Sequence, residues 1–252
     1  MANQDADASE PKSLPDFFHR DVSERRAFIM SMITNSKLPS ERLETTLITL
    51  KKVLSEENPV ISTLFSALAD SGCAFNFNKH ILIENCNPNL LAYGLFDSQR
   101  NRIVLCQNML ENIPSDSVKY DIMKYLLSFQ LVHAFDHCRA NADFFVNPKH
   151  DMCSAIRGAS LSGLCMFNIN KLMSTFSGFK SYHQKCVKDK AFKSFQALYG
   201  DWSDKDIKKL LDEVFPSCYN DHSPFDRIPL THNQAKMSYK AYQTRNRYNI
   251  EE

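Results

Sequence analysis

Phe129-Gln130-Leu131-Val132-His133-Ala134-Phe135-Asp136-His137-Cys138-Arg139 is the stretch on which the fold reading turns. Its apolar residues extend a helical period that opens after Pro114, with Ser115 or Asp116 available as N-cap, and runs through Val118, Ile122, Leu126, Phe129, Val132 and Phe135. That predicts one long central helix. Lys124, Ser128, Gln130 and His133 interrupt its most apolar part, so it falls short of the roughly 18 uninterrupted apolar residues of a membrane span.

Working outward, Leu43, Leu47, Leu50 and Leu54 have helical spacing, and Pro59 opens a second helix with Val60, Leu64 and Leu68 that Gly72 closes, together an αα-hairpin. Between residues 74 and 108 the texture changes. Phe75, Phe77, Ile81 and Ile83 alternate, a turn containing Gly94 follows, and Ile103-Val104-Leu105 forms an apolar run, which predicts a small β element. Beyond the central helix, helical patterns cover Met152 to Met173, with Gly158 and Gly163 inside it, and His183 to Gly200. Ser203 to Asp206 has capping-box form and starts a helix expected to stop near Pro216, and the chain after Pro224 reads as less regular. Residues 1–40 are polar, with little periodicity, and are expected to be a mobile tail ahead of a single domain spanning 41–252.

Composition limits the function. The chain has 252 residues, 43% of them apolar, enough for one sizeable core. Thirty Lys+Arg against 29 Asp+Glu leave a net charge of +1, so nothing draws it to nucleic acid. The acidic N-terminus resembles neither a secretory signal nor a matrix presequence, so cleavable targeting is not expected. Eight cysteines, Cys73, Cys86, Cys106, Cys138, Cys153, Cys165, Cys186 and Cys218, contain no C-x-x-C pair, which argues against a zinc ribbon and leaves disulfides or buried thiols open.

The central stretch also carries chemistry. In H-E-x-x-H two histidines one turn apart bind one Zn²⁺, and the glutamate between them takes a proton from metal-bound water. Here Phe129 and Gln130 stand where the first His and the Glu belong, and His133 alone remains. Read alone, a single histidine on an apolar face is a hydrogen-bonded core residue. Asp136, His137 and His150 are weak candidates for a displaced metal site, while the plain reading of Asp136 and His137 is a polar helix end with Arg139 as partner.

Around this helix lie Leu105-Cys106-Gln107-Asn108, Cys153-Ser154-Ala155-Ile156-Arg157, Leu161-Ser162-Gly163, His183 to Asp189, Asp212 to Asp221 and Pro224 to Pro229. In this order they resemble the mitochondrial inner-membrane metalloprotease family that processes a membrane-sector subunit of ATP synthase and helps assemble that sector. The resemblance covers about residues 45–250. It implies a zincin-like, mainly α fold with a small β element, stapled by disulfides, peripheral to the inner membrane on its intermembrane-space side. It also implies zinc in the family, and ATP synthase membrane-sector subunits or assembly factors as partners.

The departures fall on the catalytic positions. Besides Phe129 and Gln130, Ala155 replaces the acidic residue of the family's C-S-E-I-R segment, itself a candidate metal ligand. Phenylalanine has no lone pair, and glutamine cannot act as a base whose contribution to rate is typically about 10²- to 10⁴-fold. The expectation is a copy without zinc or activity that serves as an assembly chaperone or binding scaffold. The alternatives are an active endopeptidase with unorthodox ligands, or a soluble interaction protein with no mitochondrial role. Leu47 and Ile83 occupy two positions at which the family carries cysteine, so the even count of eight is compatible with four disulfides of unspecified connectivity. Lys236 to Tyr248 interleaves basic and tyrosine residues, fit for anionic lipid, for a partner, or for docking on the domain.

Overall fold

The computed structural model describes residues 33–34, 40–87, 92–140, 142, 144–166 and 179–245. The first described element is β1 (Ile33–Thr34), followed by helices α1 (Ser40–Ser55) and α2 (Pro59–Asp70) and the single turn α3 (Phe77–His80). Then come β2 (Ile81–Cys86), β3 (Gly94–Asp97), β4 (Arg102–Cys106) and the single turn α4 (Gln107–Leu110). The helical remainder is α5 (Asp116–Ala140), α6 (Pro148–Leu161), α7 (Phe179–Leu198), α8 (Asp204–Asn220) and α9 (His232–Thr244). The mainly helical chain with a small sheet matches the fold class expected from sequence.

The sheet has the order β1-β2-β4-β3, with β2 and β4 parallel (Ile81 opposite Ile103) and the outer pairs antiparallel (Ile33 opposite Cys86, Gly94 opposite Leu105). Asp97 shapes the β3–β4 turn by accepting from the Gln99 and Arg100 amides and from Arg102 Nε. Gly94 does not sit in a turn as expected but begins β3, where a Cβ would come within 2.6 Å of the Val104 carbonyl, so the strands approach this closely only at glycine. The alternation from Phe75 is likewise strand only from Ile81, because residues 77–80 first make a helical turn. Ile33–Thr34 belongs to the sheet although it lies inside the stretch read as a tail; most of that stretch falls outside the described residues.

Asn58 accepts from the Val60 and Ile61 amides ahead of Pro59 to start α2, and Gly72, at φ +80°, ends it. Both α1 and α2 pack on α5. The middle of α5, from Leu127 to Val132, is buried on every side. One face joins Leu64, Leu68, Ile103, Leu105, Leu127 and Leu131 in one core, and Phe129 reaches a second core with Met152, Ile156, Val187, Phe195 and Leu211 of α6, α7 and α8.

Three helix boundaries differ from the sequence reading. α6 starts at Pro148, capped by Asn147, and ends at Leu161 instead of reaching Met173, because Gly163 turns into the left-handed region at φ +86°; residues 167–173 lie outside the described residues. α8, capped by Ser203, continues through Pro216 to Asn220. Proline removes one helical donor there, but Phe215, Cys218 and Tyr219 are buried and hold the last turns in place. The chain after Pro224 contains α9, a 13-residue helix capped by Thr231 and docked on α2, with Tyr242 Oη donating to Asp70 at 2.7 Å.

All eight cysteines are paired: Cys73–Cys138, Cys86–Cys106, Cys153–Cys218 and Cys165–Cys186. The bridges tie the end of α2 to α5, β2 to β4, α6 to α8, and the turn after α6 to α7.

Candidate functional site

The helical period of α5 puts Phe129 and His133 one turn apart on one face, the relation that the two imidazoles of H-E-x-x-H require. The Phe129 ring lies edge-on to the His133 ring, centroids 5.0 Å apart, and belongs to the same core as Met152, Ala155, Ile156 and Ala159 of α6. A Cβ built on Gly158 would lie 3.0–3.1 Å from three Phe129 ring carbons, so the ring fills the space up to the α6 backbone. Ala155 is 3% exposed in this core. A large ring at 129 and a methyl at 155 are complementary in volume, as expected where a pair of polar ligands has been replaced by apolar packing.

Gln130 is buried and its Nε2 donates to the Gly94 carbonyl at 3.3 Å, tying α5 to β3. His133 Nδ1 lies 2.5 Å from Ser154 Oγ, and Ser154 Oγ donates to Asp136 Oδ2 at 2.9 Å. A hydroxyl has one proton, so the serine that donates to the carboxylate accepts from the imidazole. His133 therefore carries its proton on Nδ1, and the lone pair is on Nε2. Burial pushes the imidazole down to about 3, so it is neutral at physiological pH.

Asp136 anchors this chain of bonds. Arg157 Nε donates to both of its oxygens, at 2.9 and 3.1 Å, and the two side chains are 2% and 6% exposed. Burial pushes the Asp136 carboxyl up while Arg157, Ser154 and Arg139 oppose it. A single guanidinium N–H is shared between the two carboxyl oxygens. Arg157 also donates to the Asp221 and Ser223 carbonyls, and its Nη1 is 2.7 Å from Asp221 Oδ1. Asp136 is thus no polar helix end. Arg139 stands 3.6 Å from it and pairs more closely with Asp221, at 2.7 Å. Burial raises Asp221, but Arg139 and Arg157 outweigh it and hold the carboxyl below the usual range.

The other candidates do not join His133. His137 Nδ1 donates to the Ala142 carbonyl at 3.2 Å and its ring packs against Phe96 and Phe144. His150 is in the first turn of α6. Among the described residues no three His, Cys, Asp or Glu side chains converge as a metal site. The zinc that the resemblance implies needs three protein donors, and the residues present do not fit it: one imidazole, a phenyl ring and a methyl face the place.

Sequence reasoning quoted Ser154 and Arg157 without giving them roles, and it passed over Asp151. Asp151 is 5% exposed, and its Oδ2 accepts from the Phe145 amide at 2.9 Å and from Tyr199 Oη at 2.7 Å. It lines a pocket of about 50 Å³ together with Gln130, His133, Phe144 and Phe145. That pocket shares Gly94, Gln130 and Ser194 with a more open cleft of about 380 Å³, bounded by Tyr93, Ile122, Leu126 and Leu164 and rimmed by Lys190 and Lys193.

A disulfide-stapled helical scaffold whose central helix presents the last histidine of H-E-x-x-H, beside a cleft under an edge strand, defines a metallopeptidase-type protein with an incomplete ligand set. The chain belongs to the Peptidase M76 family, whose model matches residues 47–226. It is 38% identical over 224 residues to a human protein described as "Mitochondrial inner membrane protease ATP23 homolog", covering 89% of this chain and 83% of that one. It is 41% identical over 197 residues to the Xenopus laevis protein of the same description (78% and 79% covered), and 30% identical over 179 residues to "Mitochondrial inner membrane protease atp23" of Schizosaccharomyces pombe (71% and 90%). No solved structure matches. Among the described residues no helix is long and apolar enough to cross a membrane.

Proposed function

We propose that this chain is a non-hydrolytic member of its peptidase family that binds no catalytic zinc. It acts as a binding scaffold or assembly chaperone for the membrane sector of ATP synthase, peripheral to the mitochondrial inner membrane on the intermembrane-space side. What the relatives are called supports the inner-membrane location; the intermembrane-space side and the client are what the resemblance implies.

The observation that carries the loss of chemistry is the Phe129 ring packed onto Gly158 and Ala155, where a ligand and its ion belong. A substitution that removed a ligand would lower affinity; this one also closes the space. Gln130 compounds the loss, since an amide bonded to the Gly94 carbonyl accepts no proton from water. The cleft beside them, four oxidised bridges and the buttress that Ser154, Asp136 and Arg157 form behind His133 support a retained binding role.

Metal analysis of the oxidised full-length protein should find far less than one zinc per chain, and incubation with precursor forms of ATP synthase membrane subunits should yield no cleavage, while those subunits co-purify. Stoichiometric zinc with cleavage abolished by His133→Ala overturns the reading in favour of unorthodox ligands. Changing Phe129→His, Gln130→Glu and Ala155→Glu together tests how deep the loss goes: the smaller imidazole frees room for the added carboxylate, and zinc uptake by this variant is the expected result.

A further inference from the structure

Charge is unevenly spread along this chain. Between Asp226 and Glu251 there is no acidic residue and there are five basic ones, Arg227, Lys236, Lys240, Arg245 and Arg247. The whole chain has a net charge of +1, so with +5 in this stretch the remainder is left at −4. Such a separation orients a protein toward an anionic surface even when its net charge is near zero. Within the stretch lies α9, and the structure gives it two faces. Ala235 and Ser238 are buried, Ala235 in the core that α2 and α5 share. Asn233, Lys236, Met237, Lys240, Ala241 and Thr244 form one stripe on the opposite side, and all are exposed.

The carboxylates packed beside α9 are already taken. Asp70 holds Arg245 and Tyr242, and Asp226 holds Arg227 and Ser238. Among the described residues no ion pair includes Lys236 or Lys240, which stand one turn apart. Met237 beside them is 68% exposed, more than any other large apolar side chain among the described residues. Two ammoniums flanking a thioether, with no acid in reach, fit a surface that is negative outside and apolar just beneath. A 13-residue helix presents a stripe about 20 Å long and 10 Å wide, well short of the roughly 800 Å² that each side of a stable protein interface buries. The other face of α9 is held by α2, so the helix cannot sink into a bilayer as a free amphipathic helix does; it can lie against one.

We propose that the outer stripe of α9, centred on Lys236, Met237 and Lys240, is the surface by which this chain lies on an anionic phospholipid bilayer. The ammoniums meet lipid phosphates, Met237 enters the head-group layer, and the negative remainder of the chain turns away from the membrane. The contact is weak and reversible, each lysine adding about fivefold to the partition. This rests on the peripheral inner-membrane placement proposed above and supplies its contact. The two fail separately: a copy absent from inner membranes ends the placement, whereas a copy that fractionates with them yet ignores anionic vesicles ends the α9 assignment alone.

The test sediments the oxidised full-length protein with vesicles of phosphatidylcholine alone and of phosphatidylcholine mixed equally with phosphatidylglycerol. Expected are binding to the mixed vesicles only, and its loss as salt is raised. Lys236→Gln with Lys240→Gln should weaken binding about 25-fold, and Lys236→Arg with Lys240→Arg should keep it. Lys205→Gln with Lys209→Gln, an exposed pair one turn apart on α8, removes the same charge elsewhere and should change binding by less than about twofold. Met237→Trp reports depth, since the chain's one tryptophan, Trp202, is buried. Its emission should move to shorter wavelength with mixed vesicles and stay put with neutral ones. All five positions are exposed, so the variants keep the fold. Equal binding to both vesicle types, binding to neither, or an equal loss in the α8 control overturns the proposal. So does a Lys236/Lys240 glutamine variant that still binds vesicles but no longer co-purifies ATP synthase membrane subunits, which would make this face a protein-docking one.

Discussion

The two sides of His133 tell different stories. Toward Phe129 and Ala155 the surroundings are apolar packing, with the Phe129 ring filling the space up to the Gly158 backbone of α6. Behind His133, toward Ser154, Asp136, Arg157 and Asp221, each polar group has its partner, and the imidazole is held by the kind of hydrogen bond that orients a metal ligand. A site can lose its ion at little structural cost when the ligands are swapped for apolar groups of matched volume. The buttress cannot be dismantled one charge at a time, because deleting Asp136 or Arg157 alone leaves its buried partner without the pairing. The difference shows that the buttress is held by the fold itself, whatever stands in front of the imidazole.

The largest effect should come from breaking it. Arg157→Met leaves Asp136 buried without its guanidinium partner, and urea unfolding of the oxidised protein should lose about 3–5 kcal/mol. Asp136→Leu combined with Arg157→Met should lose markedly less, because the pair is then replaced and not broken. A loss below about 1 kcal/mol in the single variant would mean that the buttress is ornamental. The bridge next to Ser154 contributes on a similar scale. Cys153–Cys218 spans 65 residues and Cys165–Cys186 spans 21, so loop entropy alone gives roughly 4 and 3 kcal/mol, and replacing the first pair by alanines should cost more than replacing the second.

A second contrast concerns protonation. His183 in α7 is buried, bonded through Nδ1 to Tyr219 Oη at 2.8 Å, and burial pushes it down to about 4, with a backbone contact at Ser160 acting the other way. From its ordinary value of 6.5 down to about 4 the unfolded chain binds a proton that the folded chain refuses. Stability therefore falls as pH drops through that window and levels off below it, by about 3 kcal/mol for this residue. Urea midpoints between pH 7.5 and 4.5 should decline less steeply in His183→Gln than in the parent. Parallel curves would mean that His183 is not the acid-sensitive group.

Some of this was legible in the sequence. Apolar periodicity gave α5, and the proline and serine starts of α2 and α8 gave their capped ends, because such signals act within one turn. Local rules misjudged Pro216 and α9, where packing from distant elements decides. Phe129, Gln130 and Ala155 stood out only against a known motif. Arg157 and Asp151 gave no signal, since a buried charge reads from composition as a surface residue until its partner 21 positions back, or 48 positions on, is brought beside it.

The smallest expected effect isolates the join between the two sides. Ser154 Oγ is the atom through which the buttress reaches the imidazole, accepting from Nδ1 and donating to Asp136. Ser154→Ala deletes both bonds but leaves the Asp136–Arg157 pair and the Phe129 packing in place, so the stability cost should be about 1–2 kcal/mol, less than for Arg157→Met. The diagnostic readout is the ring nitrogen spectrum of His133. The parent should show the Nδ1–H tautomer alone, and the variant, with nothing to receive that proton, should populate the Nε2–H form as well. If the tautomer is unchanged, Ser154 does not set the direction of the Nε2 lone pair, and the link between the surviving buttress and the small pocket is cut.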